Sequence, residues 1–399
     1  MNYYIYEKDS NLCRECGLCR KICPSPDVCI GCEKCYVACP HSAIIKKIKN
    51  EPKTISITVD NKKYRVPSEI TLKKALETIG IRFSKFPEKN AIFSPCKTGT
   101  CYNCAVLVNN KITLPCISPV LENSTIITKL PENAVPLRAV GYFEFRKKGI
   151  DKLIDTEDSI VCFLSGCNFR CPACAQYNLV TTGYGTPMTP REVAKKLTKL
   201  RREHNIYSLL IGGGESTLNR TWLVKTIKEL KMLNEAEAVA TKKRIIYSTT
   251  TNASILSKDY IDELIEAGLN RIIIEIKSQD VNIFEKITGI HNRDHIKRYI
   301  ENTWNAIKYI NDTYFTRCEL LVSSPYNKDY NNRAEIIEIG KKIASLNKRI
   351  LYVISDHKPL FRATFTPVEK SELISIVDEL KKEGLRVLTT ANLDHYTNC

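Results

Sequence analysis

The sequence predicts a multidomain protein of mixed α/β and α+β class: two small cysteine-bearing domains ahead of a larger domain built on a parallel sheet. Three observations carry this. Residues 1–48 are dense in cysteine and leave little room for a core. Residues 53–130 alternate apolar and polar residues in short runs such as Ile55-Ser-Ile-Thr-Val59, the period of half-buried strands. From about residue 159 onward, short β-branched runs alternate with longer amphipathic stretches, which is how parallel strands joined by crossover helices read.

In chain order, the expected domains are 1–50, 51–130 and 159–399, with 131–158 as a linker marked by Pro131, Pro136 and polar residues. Inside the second domain, Thr71 to Ile79 reads as one helix. In the third, the strands expected are Ser159–Leu164, Tyr207–Gly212, Arg244–Thr250, Arg271–Lys277, Cys318–Ser323 and Ile350–Ser355. Helices are expected near 190–203, 220–233, 258–267, 296–311, 332–345 and 369–383. Unbroken apolar runs such as Ile272-Ile-Ile274 fit strands buried on both faces, in a sheet that is open or curled into a partial barrel.

Hydrophobic content of 43% and charged content of 26% are those of an ordinary globular chain. No apolar stretch is long enough to span a bilayer, and the start Met1-Asn-Tyr-Tyr-Ile-Tyr lacks the pattern of a signal peptide, so no membrane partner and a cytoplasmic location are expected. The chain holds 18 cysteines, bunched at C-x-x-C spacings. In a long chain without an export signal this pattern reads as metal ligation in a reducing, anaerobic setting rather than as disulfides. The formal net charge of +16 counts every cysteine as neutral. With thiolates bound in clusters the charge falls to roughly +9. Lys195, Lys196 and Lys199 then read as a solvated helix face, and RNA or an acidic protein is a partner that only the basic charge favours.

The first cysteine set repeats itself after sixteen residues: Cys13-x2-Cys16-x2-Cys19-x3-Cys23-Pro24, then Cys29-x2-Cys32-x2-Cys35-x3-Cys39-Pro40. Three thiolates from one turning loop reach three corners of a cubane, and in such a run the fourth cysteine serves the other cluster. Cys13, Cys16, Cys19 and Cys39 are thus expected on one 4Fe–4S cluster, and Cys29, Cys32, Cys35 and Cys23 on a second. The stretch resembles a bacterial two-cluster ferredoxin, and implies that fold; paired zinc sites are the alternative.

The second set is Cys96-x4-Cys101-x2-Cys104, a 2Fe–2S spacing, with Cys116 as the fourth candidate ligand. The short return to Cys116 resembles the 2Fe–2S domain of succinate dehydrogenase and fumarate reductase iron–sulfur subunits. So does the hairpin pattern from Ile55 to Val66 with Asn61 at its turn. That resemblance implies a β-grasp fold; a structural zinc site is the alternative.

The third set, Cys167-x3-Cys171-x2-Cys174, directly follows the first strand of the βα alternation. Three thiolates leave one iron of a cubane open, and an open coordination position is where chemistry occurs. This motif resembles the radical S-adenosylmethionine (radical SAM) superfamily, which implies a partial (β/α)6 barrel and SAM chelated at the open iron. Gly212-Gly213-Gly214-Glu215-Ser216 resembles the superfamily's Gly-Gly-Glu-Pro segment, with Ser216 in place of Pro, and implies contact with the methionine amino group. Asn252 resembles the ribose-contacting Asn. Glu275-Ile-Lys277 resembles the Asp-Leu-Lys of the pyruvate formate-lyase activating enzyme, with a surface ion pair as the alternative. Ala173 stands where an aromatic residue is usual; Phe169 or Tyr177 substitutes for it or sits in the core. Cys162 and Cys318 read as buried inert thiols, and Cys399 as a free one.

The resemblances together imply three 4Fe–4S clusters, one 2Fe–2S cluster and SAM. They also imply an external low-potential electron donor and a substrate the sequence does not name, of which a protein glycine is the activase-like example. An electron-carrying subunit of a larger oxidoreductase is the reading from another class.

Overall fold

The computed structural model of the chain describes residues 2–50, 52–147 and 158–389. Contacts divide it into two compact units: residues up to 139 with 165–168 and 176–187, and residues 140–164, 169–175 and 188 onward.

The first unit opens with β1 (Tyr3–Lys8), which pairs antiparallel with β2 (Ile44–Lys49). Between them lie two single-turn helices, α1 (Leu18–Ile22) and α2 (Lys34–Ala38). Both are short for the same reason. Each begins after a left-handed residue, Gly17 at φ 74° or Glu33 at φ 65°, and each stops at a cysteine that precedes proline. A residue before proline is pushed out of the helical region, and Cys23 and Cys39 are extended at ψ 124° and 114°.

Next come β3 (Thr54–Val59) and β4 (Lys62–Pro67), a hairpin turned by Asp60 and Asn61, both at positive φ as a two-residue primed turn requires. α3 (Leu72–Thr78) is capped by Thr71, whose Oγ1 accepts from the Lys74 amide at 3.2 Å, and it buries Leu72, Ala75 and Leu76. β5 (Phe83–Ser84) and β6 (Ile92–Phe93) form a parallel pair. β7 (Val106–Val108), β8 (Lys111–Thr113) and β9 (Thr125–Ile127) complete a sheet of order β4-β3-β9-β7-β8, with β3 and β9 parallel. The helix closes over the sheet through Ile57, Val59, Val66, Val106 and Ile126, giving the β-grasp arrangement.

The stretch expected as a linker is corrected in part. Residues 138–146 form β10 (Arg138–Arg146), which pairs antiparallel with β11 (Ser159–Leu164). Its alternation of Val140, Phe143 and Phe145 toward the core was masked in the sequence by the prolines before it. Of that stretch, 148–157 lie outside the described residues.

α4 (Tyr177–Thr182) and β12 (Thr186–Met188) follow β11. The βα alternation then runs α5 (Pro190–Glu203), β13 (Ser208–Gly213), α6 (Arg220–Thr241), β14 (Ile246–Thr251), α7 (Lys258–Ala267) and β15 (Arg271–Glu275). It continues through α8 (Val281–Thr288), α9 (Arg293–Tyr314), β16 (Glu319–Tyr326), α10 (Arg333–Leu346), β17 (Leu351–Asp356), α11 (Lys370–Lys382) and β18 (Arg386–Thr389).

Strands β11-β13-β14-β15-β16-β17-β18 are parallel neighbours in that order. All six expected strands and six expected helices are present. β18 adds a seventh parallel strand, and α8 a short helix that the sequence reading lacked. The order ends at β18 without returning to β11, so the described sheet is open rather than a closed barrel. Ile272, Ile273 and Ile274 are buried throughout, as a strand covered on both faces requires. Each such side chain contributes roughly 1.5–3 kcal/mol of burial free energy.

Candidate functional site

In the first unit, backbone amides point at cysteine sulfurs, as cluster-binding loops require. Glu15 N–H donates to Cys13 Sγ at 3.4 Å, Tyr6 N–H to Cys29 Sγ at 3.4 Å, and Ala43 N–H to Cys39 Sγ at 3.3 Å. Cys39 packs with Cys13 and Cys19 around Ala43 and Ile44. Cys23 lies within electrostatic reach of Cys32 and Cys35, together with Cys29. Cys23 thus sits by the other loop's set, Cys39 sits by Cys13 and Cys19 as well as by Cys35 of its own loop, and Cys16 is the exposed member of the first set.

Cys96, Cys101, Cys104 and Cys116 converge more tightly. All four are buried, Cys96 hydrogen-bonds with Cys101 and Cys116, and Cys104 with Cys116. Hydrogen bonds from these neighbours hold the Cys96 thiol well below its ordinary value, whereas burial pushes Cys101 well above it. The Thr100 hydroxyl also reaches Cys96 Sγ at 3.9 Å. Four thiols shielded from water and aimed at one another are a donor set that fits a 2Fe–2S cluster. Among the described residues, no group of three or more His, Cys, Asp or Glu is placed to hold a single metal ion.

In the second unit, the residues singled out in the sequence gather at the C-terminal edge of the parallel sheet, where open α/β sheets place their ligand sites. Cys171 and Cys174 follow β11 by a few residues. Burial raises the Cys171 thiol, against the pull of the nearby Lys277 ammonium. Gly213 ends β13 at φ 97°, and a Cβ there would stand 2.9 Å from the Leu164 nitrogen; Gly214 N–H donates to the Leu164 carbonyl at 2.7 Å. Only glycine allows this approach of the β13 end to β11.

Glu215 is buried, and its carboxylate braces the edge. It accepts from Thr217 N–H at 3.0 Å, Thr217 Oγ1 at 2.6 Å, Thr251 Oγ1 at 2.5 Å and Asn252 N–H at 2.8 Å. Ser216 Oγ donates to the Thr250 carbonyl and accepts from Thr249 Oγ1, both at 2.8 Å. The side chains of Glu215 and Ser216, expected at the cofactor, thereby lock the β13 end to the β14 end. It is the backbone of the segment that can face a ligand. Asn252 Oδ1 accepts from Ser254 N–H and Oγ, at 3.0 and 2.6 Å, which fixes its rotamer at the end of β14.

Glu275 and Lys277 form an ion pair at 2.7 Å, with side chains 32% and 13% exposed; it is half-buried, not the surface pair weighed from the sequence. Burial opposes both charges, but each stabilises the other: Glu275 is lowered and Lys277 raised from ordinary values. Cys171 and Cys174 add to the field that keeps Lys277 charged. Phe169 packs edge-on against Phe284 and Tyr299 with centroids 5.4 and 5.3 Å away, which is a core role. Cys162 and Cys318 are buried in the sheet, and burial pushes Cys318 up to about 12. Cys399 lies outside the described residues.

Sequence reasoning missed three residues here. His357 just past β17, Tyr330 in the loop after β16 and Phe365 form one aromatic wall: His357 stacks on Phe365 with centroids 5.4 Å apart, and Tyr330 meets Phe365 and His357 edge-on at 4.8 and 5.8 Å. Burial first, then the Lys277 charge, lower His357 to about 4, so the imidazole is neutral near pH 7. No local motif marks these residues; the end of β17 brings His357 to Glu275 and Lys277. Arg138, inside the expected linker, was also missed. It is fully buried, and its Nη2 donates to the carbonyls of Ser165 at 2.9 Å and Gly166 at 3.2 Å.

Comparison with known proteins gives three family matches: Radical SAM superfamily over residues 161–322, 2Fe-2S iron-sulfur cluster binding domain over 52–129, and 4Fe-4S binding domain over 25–45. Among curated proteins, a probable GTP 3',8-cyclase of Saccharolobus solfataricus is 32% identical over 151 residues, 38% of this chain and 44% of that protein. Its counterpart in Methanococcus aeolicus is 31% identical over 144 residues, 35% of this chain and 43% of the relative. The chain thus matches less than half the length of these relatives. Similar solved structures include Streptococcus suis SuiB bound to precursor peptide SuiA, at 15% identity and TM-score 0.43, covering 57% of this chain and 47% of that one. A radical SAM methyltransferase from Sphaerobacter thermophilus matches at 15% identity and TM-score 0.44, covering 58% and 65%.

Proposed function

From a chain that carries a radical SAM domain behind 4Fe–4S and 2Fe–2S binding domains, we propose an enzyme that cleaves SAM reductively to abstract a hydrogen atom from its substrate. The observation that supports this most is that Cys171 and Cys174 follow β11 at the C-terminal edge of a parallel sheet, where Gly213 and Gly214 close against Leu164 of the same strand. Cys167, Cys171 and Cys174 would hold a 4Fe–4S cluster, and Gly213, Gly214 and Asn252 would face SAM. Held there and given one electron, the cluster and SAM would supply reductive cleavage of the sulfonium and hydrogen-atom abstraction from substrate, with methionine and 5′-deoxyadenosine as the products to look for.

The chain's own residues prepare that chemistry. Glu215 and Ser216 hold the β13 and β14 ends in fixed register, so the ligand-facing backbone is preorganised. Lys277 places a cation beside Cys171 and Cys174 and balances their thiolate charge, while Glu275 holds its ammonium in place. Neutral His357 can accept or donate a hydrogen bond at pH 7 without bringing a second cation against Lys277.

Two substrate classes remain in view. Glu275-Ile-Lys277 favours a protein glycine, as in activating enzymes. The aromatic wall of Tyr330, His357 and Phe365, with the similarity to GTP 3',8-cyclases, favours a compact substrate with a planar ring. The N-terminal clusters would be fed by an external low-potential donor.

The test is anaerobic reconstitution with iron and sulfide, followed by dithionite and SAM. Release of 5′-deoxyadenosine that Cys171→Ser abolishes supports the enzyme; a fully loaded chain that releases none is an electron carrier instead. Adding GTP or a glycyl-radical enzyme then separates the substrate classes by which one raises turnover.

A further inference from the structure

Two ligand loops and the residues around Cys167 meet inside the first unit. On one side of the 2Fe–2S loop, Lys97 Nζ pairs with Glu33 Oε2 at 2.6 Å, joining the residue after Cys96 to the residue after Cys32. Lys34, the next residue, feels Cys32 and Cys23 of the second 4Fe–4S set and also Cys116 and Cys96 of the 2Fe–2S set. A Cβ on Gly183 would lie 2.8 Å from both Lys34 Nζ and the Thr98 carbonyl, so the α4 end presses the two loops together.

The residue before Cys167 also lies against this loop. Gly166 has φ +80°, and a Cβ there would come within 2.1 Å of Thr100 Oγ1 and 3.4 Å of Cys96 Cβ. The approach is held by backbone. Ala139 N–H donates to the Thr100 carbonyl and Ser165 N–H to the Ala139 carbonyl, each at 3.0 Å. Buried Arg138 clamps the Ser165 and Gly166 carbonyls and places its cation within reach of Cys101. In the first set, Cys16 is exposed and Cys39 packs with Cys13 and Cys19 around Ala43 and Ile44.

The geometry points to the loop Cys96–Cys104 as the last relay before the radical SAM loop, with the Cys29–Cys35 loop on its other side and the Cys13–Cys19 loop outermost. This rests on the reading that Cys167 belongs to a cluster loop, and it gives the 2Fe–2S domain a task. One electron leaves the reduced centre of Cys96, Cys101, Cys104 and Cys116 and enters the centre of the Cys167 loop. No bond forms or breaks, and the deficit is refilled through the Cys32 side by a low-potential one-electron donor of the flavodoxin class. Gly166 sets the spacing by lacking a side chain, and Arg138 and Thr100 are positioning residues that also bear on potential, since charge and hydrogen bonds near cluster sulfurs tune it.

The experiment uses the fully loaded chain. Electron paramagnetic resonance is recorded as it is reduced stepwise, and the half-saturation power of the 2Fe–2S signal is followed. That power is expected to rise at least tenfold when either neighbour, the Cys32 or the Cys167 centre, becomes paramagnetic. Cys16→Ser, in the outermost set, should leave this rise intact, and Cys32→Ser should remove one part of it. In freeze-quench with stoichiometric reduced flavodoxin, Cys101→Ser should slow reduction of the Cys167 centre at least tenfold. A 2Fe–2S signal indifferent to the Cys167 centre, or unchanged reduction in Cys101→Ser, overturns the relay order. If Cys101→Ser does not load, the parent chain's signal decides alone. Release of 5′-deoxyadenosine with dithionite is scored separately: release without coupling refutes the wiring and spares the enzyme, and coupling without release does the reverse.

Discussion

The Cys96 set and the Cys167 loop are both cysteine clusters, yet the molecule treats them oppositely. Cys96, Cys101, Cys104 and Cys116 are each 6% exposed or less and hydrogen-bonded to one another, whereas Cys167, Cys171 and Cys174 are all partly accessible. The first set supplies four thiols and buries all of them. The second supplies three and sits at a sheet edge braced by Glu215. A carrier needs protection from water and no open position; a catalytic cluster needs room for a ligand. Closure and openness are thus built from the same residue type by counting and by burial.

The largest effects should follow from breaking either set. Cys171→Ser is expected to lower 5′-deoxyadenosine release at least a hundredfold while the 2Fe–2S absorption survives, and Cys101→Ser should erase that absorption. Cluster-free chain exposed to iodoacetamide under native conditions sharpens the contrast: mass spectrometry should find Cys16 labelled first, Cys167 and Cys174 next, and Cys101 and Cys116 slowest by about a hundredfold, as burial and a raised thiol pKa dictate.

Glu215→Ala tests the brace. It leaves buried donors from Thr217, Thr251 and Asn252 without their acceptor, which costs about 3–5 kcal/mol, read as a lower denaturation midpoint together with weakened SAM binding. The open site should also carry a pH signature. His357 has a folded value of about 4, below the ordinary 6.5. The unfolded chain therefore binds the proton more readily, so this contribution is complete above about pH 6.5 and declines as pH falls toward 4. Glu275, lowered by Lys277, adds a loss only at still more acidic pH, below its unfolded value of about 4.3. His357→Phe should flatten the stability profile between pH 4 and 6.5, measured by denaturant titration. The smallest change is Thr189→Ala. The Thr189 side chain accepts from Glu192 N–H at 3.3 Å in a capping box at the α5 start, and its loss should lower stability by about 1 kcal/mol with SAM cleavage unchanged.

Local signals were legible where spacing alone does the work. The repeat of four cysteines, the C-x3-C-x2-C loop and the 3.6-residue period of α7, found at Lys258–Ala267, all read directly from the chain. β10 did not, because Pro131 and Pro136 suggested a linker and its pairing with β11 is decided by a partner strand. β18 lacked a signal of its own beside β17 for the same reason.

What the amino-acid order alone determined is which thiols exist in which spacing, and hence which stretches match the 4Fe-4S, 2Fe-2S and Radical SAM family models, since ligand geometry within a loop is set by a few consecutive residues. What only the tertiary structure decided is adjacency: Glu215 bracing Thr251, His357 facing Lys277, and Gly166 lying against Cys96 and Thr100. Those contacts join residues far apart in sequence through strand ends and buried carbonyls. Close packing, rather than any local pattern, chooses them.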